Sequence, residues 1–307
     1  MSVCVCGNVV YDILVRPVER LRWAATTLVE NVSQQLGGNA GTTSYAIGKL
    51  GVPIFVVTLT GRDEEAESVL TRLQSAGVDT SRVMRTDAPT SIAVSIVNSA
   101  GERALLYQLG ASAEEFPGFP IDGASHFHLA AAFRMQHLRK AAPDLMRRAR
   151  ELGMSTSIDT QWDTEGEWMK VLGPSLPSTD LLFANEDEAR MLTGHHDARM
   201  AARALLDTGA QRVCVKLGAA GCAVFGAGQE FEVPAFRVQA VDTTGAGDCF
   251  AGGYIAALQR GESHERAAQI ANAVGALSVQ KLGGTAGLLN WEDTVRWIER
   301  QVNADSY

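Results

Sequence analysis

The segment Asp242-Thr243-Thr244-Gly245-Ala246-Gly247-Asp248 holds the residues best suited to chemistry in this 307-residue chain. Two glycines one residue apart remove side chains where the backbone turns, so consecutive N–H groups can point at one anion. An extended stretch, Phe231 to Val241, runs into this turn, and a predicted helix over Ala246–Gln259 leaves it. The free amides and dipole of a helix start would add to the same positive field. A carboxylate at Asp248 would then sit beside an anion pocket. That pairing suits phosphoryl transfer to an alcohol, with the acid taking the hydroxyl proton and the amides stabilising the moving phosphoryl oxygens. A capped helix start, in which Asp248 only favours the dipole, accounts for the same spacing.

The standard nucleotide fingerprints are absent. The chain has no GxxxxGK[ST], which sets aside a P-loop enzyme. Gly245-Ala246-Gly247 continues as Asp248-Cys249-Phe250, so GxGxxG fails at its third glycine. The turn also lies far from the first strand, against a dinucleotide-binding unit. His126 and His128 share one face of a predicted strand but lack a third metal ligand, and His195-His196 reads as a solvated turn.

These residues need a scaffold, and the chain supplies an α/β pattern. Predicted strands at Val3–Cys6, Ile54–Leu59, His126–Ala131, Thr156–Asp159, Leu181–Ala184, Val213–Leu217 and Cys222–Phe225 alternate with helical segments. The helices are expected at Ala40–Leu50, Glu64–Ala76, Pro143–Leu152, Glu186–Leu192, Arg199–Thr208, Ala246–Gln259, Glu265–Lys281 and Trp291–Gln301. Such alternation builds right-handed βαβ units and a largely parallel sheet. Val29–Leu36, Ser91–Val97 and Ala104–Leu109 are too mixed in polarity for a doubly buried sheet, and read as a small antiparallel lid. The acidic stretch Asp159–Met169 reads as a mobile loop near the nucleotide.

Composition narrows the partners. A formal charge of −8, with no long Lys/Arg block, makes nucleic acid a poor expectation. Five cysteines without CxxC or Cys/His spacing read as buried free thiols in a reducing compartment. The first residues lack the basic and apolar regions of a signal peptide. No run approaches the ~18 apolar residues that cross a bilayer. The expected location is the cytoplasm, away from membranes.

Taken in order, several segments carry a resemblance. Gly7-Asn8 with Asp12, Gly37-Gly38-Asn39-Ala40, Asn185-Glu186-Asp187-Glu188, Lys216-Leu217-Gly218-Ala219-Ala220-Gly221 and Asp242–Asp248 are similar to signatures of the PfkB/ribokinase-like carbohydrate kinases. The resemblance covers almost the whole chain. It implies a ribokinase-like three-layer α/β sandwich, with a mainly parallel central sheet and a small β-sheet lid. One domain over 1–307 is expected, its lid formed by segments at approximately 12–36 and 88–112.

The implied activity is ATP-dependent phosphorylation of a sugar hydroxyl. Asp248 takes the place of the catalytic base, and Gly245, Ala246 and Gly247 that of the anion hole. Asn185, Lys216, Gly218, Gly221 and Asn272 correspond to the ATP site, with Asn272 near the adenine; alone, Asn272 reads as a helix surface residue. Glu188 corresponds to a residue that organises Mg²⁺ through water; alone, the Asn185–Glu188 segment also reads as a solvated helix start. A K⁺ site would involve Asp242, Thr244, Ser278, Lys281 and Gly283. On the acceptor side the resemblance implies Asp12 for sugar hydroxyls, Gly37 and Gly38 for close approach, and Asn39 for its amide. Thr42 departs from the family, which often has asparagine there. Arg134 would favour an acidic sugar or a sugar phosphate, although a surface arginine explains it too. A homodimer through the lid is also implied. A nucleoside kinase of the same family and a non-catalytic sugar-binding regulator are the alternative readings.

Overall fold

The computed structural model describes residues 2–226 and 228–304. The first part of the chain forms β1 (Val3–Cys6), β2 (Val10–Arg16), β3 (Asn31–Gly37), α1 (Asn39–Lys49), β4 (Ile54–Val57), β5 (Leu59–Thr60), α2 (Glu64–Ser75), β6 (Val78–Asp79), β7 (Met84–Arg85), β8 (Ile92–Val97) and β9 (Arg103–Gln108). There follow β10 (His126–Leu129), α3 (Gln136–Glu151), β11 (Ser155–Asp159), α4 (Met169–Leu172), β12 (Leu181–Asn185), α5 (Glu186–Thr193), α6 (Ala198–Asp207) and β13 (Arg212–Lys216). The chain closes with β14 (Cys222–Gly226), β15 (Gln229–Val233), α7 (Ala246–Gln259), α8 (His264–Ser278) and α9 (Trp291–Ala304).

Nine strands make one sheet in the order β15-β14-β13-β12-β11-β10-β1-β4-β6. The run from β13 to β6 is parallel, and only β14 and β15 pair antiparallel. A parallel sheet must be covered on both faces, and the two-residue period of the strands divides the core accordingly. Val3, Val5, Ile54 and Val56 pack with side chains of α1, α2, α7 and α8. Cys4, Cys6, Phe55 and Val57 face the opposite way, against α3 and α6. This is the expected three-layer sandwich. All five cysteines are free and buried, acting as small apolar side chains. Among the described residues no helix is long and apolar enough to cross a membrane.

A separate four-stranded sheet has the order β3-β2-β8-β9. It is mixed rather than antiparallel: β2 pairs antiparallel with β3, but parallel with β8. The reason is topological. Between β2 and β8 the chain passes through the large sheet, and a crossover of that kind returns the strand in the same direction. Strand β2 itself was hidden in the sequence, because Gly7-Asn8 reads as the end of a strand rather than a joint between two.

Two other expectations are corrected. The helix expected from Pro143 begins at Gln136, with Pro143 inside it. Leu138, Ala142, Leu145, Met146 and Ala149 carry one buried stripe straight through the proline, and packing of that stripe outweighs the lost backbone bond. Helix α8 stops at Ser278, short of the expected Lys281. The Asp159–Met169 stretch is anchored at Asp163, which accepts from Arg139 Nη1 at 2.8 Å and from the Trp168 amide at 2.7 Å, while Trp162 and residues 164–166 are exposed.

Candidate active site

The carboxyl ends of β1, β11, β12 and β13 and the starts of α1 and α7 meet in one cleft, where parallel sheets usually bind ligands. Gly245 immediately precedes α7, and its left-handed backbone (φ 72°) turns the chain into the helix. A Cβ there would come within 3.0 Å of Thr42 Cγ2, so Thr42 packs beneath the turn. The Ala246 amide closes back on Thr243 O at 3.3 Å. Among the described residues, the amides of Gly245, Gly247 and Asp248 have no carbonyl partner. These are the unsatisfied donors that a helix start offers to an anion.

Asp248 lies in the first turn of α7. Its Oδ1 accepts from Asn39 Nδ2 at 2.8 Å, from the start of α1. Asn39 Oδ1 in turn accepts from Gln161 Nε2. Asn8, at the end of β1, fixes α1 in place by accepting the Asn39 amide at its side chain and the Ala40 amide at its carbonyl. Burial pushes the Asp248 carboxyl up to about 6, with Glu188 adding to the shift and Asn39 and Lys216 opposing it.

Lys216 ends β13 and pairs with Asp159, which ends β11, at 2.6 Å. Its ammonium reaches the α7 turn, since a Cβ on Gly247 would sit 3.2 Å from Nζ. Burial works against this charge, but Asp159, Glu188 and Asp248 outweigh it and hold the pKa above that of an ordinary lysine. Burial pushes Asp159 upward, and Asp248 and Glu188 add to it despite Lys216. Asn185 and Glu188 form a capping box on α5. Glu188 is buried; its Oε2 accepts from Thr160 Oγ1 at 2.7 Å and from the Asn185 amide at 2.9 Å. Three carboxylates and one lysine therefore share this corner.

Beyond Lys216 opens a cleft of about 480 Å³, lined by Gly218, Gly221, Phe236, Gly247, Phe250 and Asn272 among others. Its walls are mainly apolar and its size suits a purine base with its ribose. Asn272 is not a surface residue of α8. It is buried and donates to the carbonyls of Val233 and Pro234 at 3.0 and 3.2 Å, holding one wall. Gly221 has to be glycine, because a Cβ would fall 2.1 Å from Val233 O.

The opposite side of Asp248 is polar. Asp12 on β2 lies against Gly37, where a Cβ would fall 2.1 Å from Oδ2. Gly38 (φ 80°) turns the chain into α1 beside the Asn8 carbonyl. Burial, then the neighbouring charge of Asp248, pushes Asp12 up to about 7. Tyr107 of β9 reaches over from the small sheet; Asn8 Nδ2 donates to its hydroxyl at 3.1 Å, and the Arg134 guanidinium lies 5.1 Å from its ring centre. Arg103, also on β9, donates to Thr244 Oγ1 at 3.1 Å.

Around the residues expected at a monovalent cation, the Asp242 amide donates to Val279 O at 3.1 Å. Asp242 accepts from the Thr244 amide at 2.9 Å and from the Gly283 amide at 3.0 Å, which joins these three. The Ser278 hydroxyl donates back to Gly275 O at 2.7 Å, and Lys281 is exposed.

Tyr107 and Arg103 were not singled out from sequence; Asn8 entered only beside Gly7 as part of a motif, and Asp159 and Gln161 only within the Asp159–Met169 stretch. Asp159 ends a strand of the parallel sheet and Gln161 lies just beyond it, and that position was the available signal. Tyr107 and Arg103 arrive only through the small sheet and gave none.

Comparison with known proteins bears on this geometry. The family described as pfkB family carbohydrate kinase matches residues 1–291. The chain is 31% identical over 293 residues to the ATP-dependent ribose-1-phosphate kinase of Halopiger xanaduensis, covering 90% of this chain and 91% of that protein. It is 26% identical to the ribokinase of Haemophilus influenzae, covering 88% of this chain and 89% of that one. Its fold is similar to that of Arabidopsis thaliana ribokinase complexed with ribose and ATP, with a TM-score of 0.84, 25% identity, and 97% and 98% of the two chains covered. A putative ribokinase II from E. coli in complex with ATP and Mg²⁺ gives a TM-score of 0.86 at 25% identity, covering 97% and 99%.

Proposed function

Because the chain belongs to the pfkB family of carbohydrate kinases, and is an ATP-dependent enzyme of that kind, we propose that Asp248 is the general base that prepares a sugar hydroxyl for the γ-phosphoryl group. The observation that carries this reading is the position of Asp248. It stands at the head of α7, between the apolar cleft and the polar pocket of Asp12 and Asn39. A base at about 6 is ionised at neutral pH and close enough to it to hand its proton on.

The sugar hydroxyl attacks the γ-phosphorus in line while Asp248 takes its proton, and the bond from the γ-phosphorus to the β–γ bridging oxygen breaks, with ADP as the leaving group. The amides of Gly245, Gly247 and Asp248 face the phosphoryl oxygens, with Lys216 beside them. Ala246 serves by shape rather than by its amide, which is engaged with Thr243. Adenosine occupies the cleft between Gly218, Gly221 and the wall held by Asn272. Asn185 acts at the triphosphate through the capping box that sets Glu188.

The acidic corner fits a divalent cation. Asp159, Glu188 and Asp248 exceed the single charge of Lys216 where a triphosphate would arrive, yet no group of three such side chains among the described residues could hold a metal alone. Glu188 would hold Mg²⁺ through water, with the phosphates as its direct ligands. When bound, Mg²⁺ neutralises the developing phosphate charge. K⁺ activation is proposed with backbone oxygens near Asp242, Thr244 and Gly283 as ligands, because both Asp242 oxygens are committed to amides.

The acceptor pocket favours a sugar over a nucleoside, since Asp12, Asn8, Asn39 and Gln161 converge there as hydrogen-bonding groups. Arg134 would meet an acidic or phosphorylated substituent. The ribose-1-phosphate kinase among the relatives is named for an acceptor of that kind. The small sheet would act as a lid that excludes water, formed within the single domain. Its exposed Val32, Leu105 and Leu106 support pairing with a second copy. The test is ADP release from Mg-ATP across neutral sugars, sugar phosphates, sugar acids and nucleosides. Sugar-dependent release supports the reading, and a response to nucleosides alone replaces it.

A further inference from the structure

At the amino ends of the strands of the large sheet, opposite the cleft, lies a second cavity, of about 330 Å³. Its wall takes His126, Ser155 and Arg212 from the starts of β10, β11 and β13, Gln259 from the end of α7, and His264 from the start of α8. Arg212 is only 7% exposed. Its Nη1 is buried with no hydrogen-bond partner, and among the described residues no carboxylate lies within ion-pair distance.

The other charges of the wall cancel. Asp180 is taken by Arg150 Nη1 at 2.8 Å and by the Thr156 amide at 2.8 Å. Burial holds both His126 and His264 down to about 4, so they are neutral, with the Arg212 charge reinforcing this at His264. One guanidinium charge remains uncompensated. The carbonyl end of α7 supplies only about half an opposing charge, and leaving an ion buried without a partner is costly. Neutral donors are also at hand. Gln259 Oε1 accepts from Ser125 Oγ at 2.8 Å, leaving its Nε2 hydrogens unengaged by protein.

We propose that this cavity binds a small oxyanion, a phosphate or carboxylate group, with Arg212 as its cation. A guanidinium meets either group with two parallel N–H donors, and the cavity has room for little more than a small metabolite. The site is independent of the catalytic reading: the 14 residues of α7 separate it from the Gly245 turn by about 20 Å.

The test is NMR of the histidine ring signals, with His264 assigned through His264→Gln. Inorganic phosphate and malonate are titrated separately at constant ionic strength, with chloride as the control. A saturable shift of the His264 ring with either anion is expected, weakened roughly tenfold or more in Arg212→Met, as loss of a charged hydrogen bond requires. Binding at the α7 turn would not move His264. An unmoved His264 in the wild type overturns the proposal even if the variant fails to fold, and so does an equal response in Arg212→Met.

Discussion

Asp248 accepts a hydrogen bond from Asn39 at 2.8 Å across 209 residues of chain. That single bond ties the start of α7 to the start of α1, and so ties the anion turn to the acceptor pocket. It also occupies one oxygen of Asp248 and leaves the other for a hydroxyl.

The protonation of Asp248 sets a pH dependence. Burial raises its pKa to about 6, and the base works only when ionised, so kcat/KM should fall as pH drops through about 6. Lys216 holds this value down. In Lys216→Met the acid limb should therefore move to higher pH. A rate profile from pH 4.5 to 8.5, roughly the range such groups titrate over, reads both limbs. An unmoved limb in the variant would remove Asp248 as its source.

Gln161 and Asn39 position the base in series. Asn39→Ala removes the donor that lowers the Asp248 pKa, so the acid limb should rise and kcat fall roughly tenfold, the worth of one such bond. Gln161→Leu frees Asn39 to turn and should give a smaller loss of the same kind. The KM for ATP should change little in either. Loss of ATP affinity with an unshifted limb would point to general damage instead.

Asp12 costs the fold stability at neutral pH. Its pKa is raised to about 7 by burial and by Asp248, so the native state holds the proton more tightly than the unfolded chain. The penalty is fully present above about 7 and fades as pH falls toward the unfolded value. Asp12→Asn should therefore raise Tm at pH 8 and lose that advantage near pH 4, while the KM for the acceptor rises. Thermal melts at the two pH values check the sign.

The Gly252-Gly253 pair lies inside α7, where glycine lowers helix stability. In the structure it permits close packing: a Cβ on Gly252 would fall 2.8 Å from Ala46 Cβ of α1. Gly252→Val should destabilise by about 1–3 kcal/mol through overpacking, and should loosen the α1–α7 contact that carries Asn39 and Asp248. Chemical denaturation measures the first effect, and kcat the second.

Much of the large sheet was legible because its strands are short apolar runs separated by helices, and α7 was bounded correctly at Ala246 and Gln259. The small sheet was harder. Its strands are partly buried, as in β8, or largely exposed, as in β9, so local polarity could show that they differ but not that β2 and β8 run parallel. The site divides in the same way. The glycine turn and Asp248 lie within one short segment, so spacing alone suggested their chemistry. Asp159, Gln161 and Tyr107 are brought in by strand order and by the small sheet, which no local pattern records. Asn272 looked like a helix surface residue because the carbonyls it holds lie 38 and 39 residues away.

The most direct test is Asp248→Asn, assayed for acceptor-dependent ADP release from Mg-ATP at pH 8, with ATP binding followed by calorimetry. The variant keeps the side chain's size and can still meet Asn39, but cannot take a proton. The account predicts a fall of roughly 10²–10⁴-fold in kcat with ATP affinity nearly intact. Turnover at the wild-type rate, in a variant that folds and binds ATP, would contradict it.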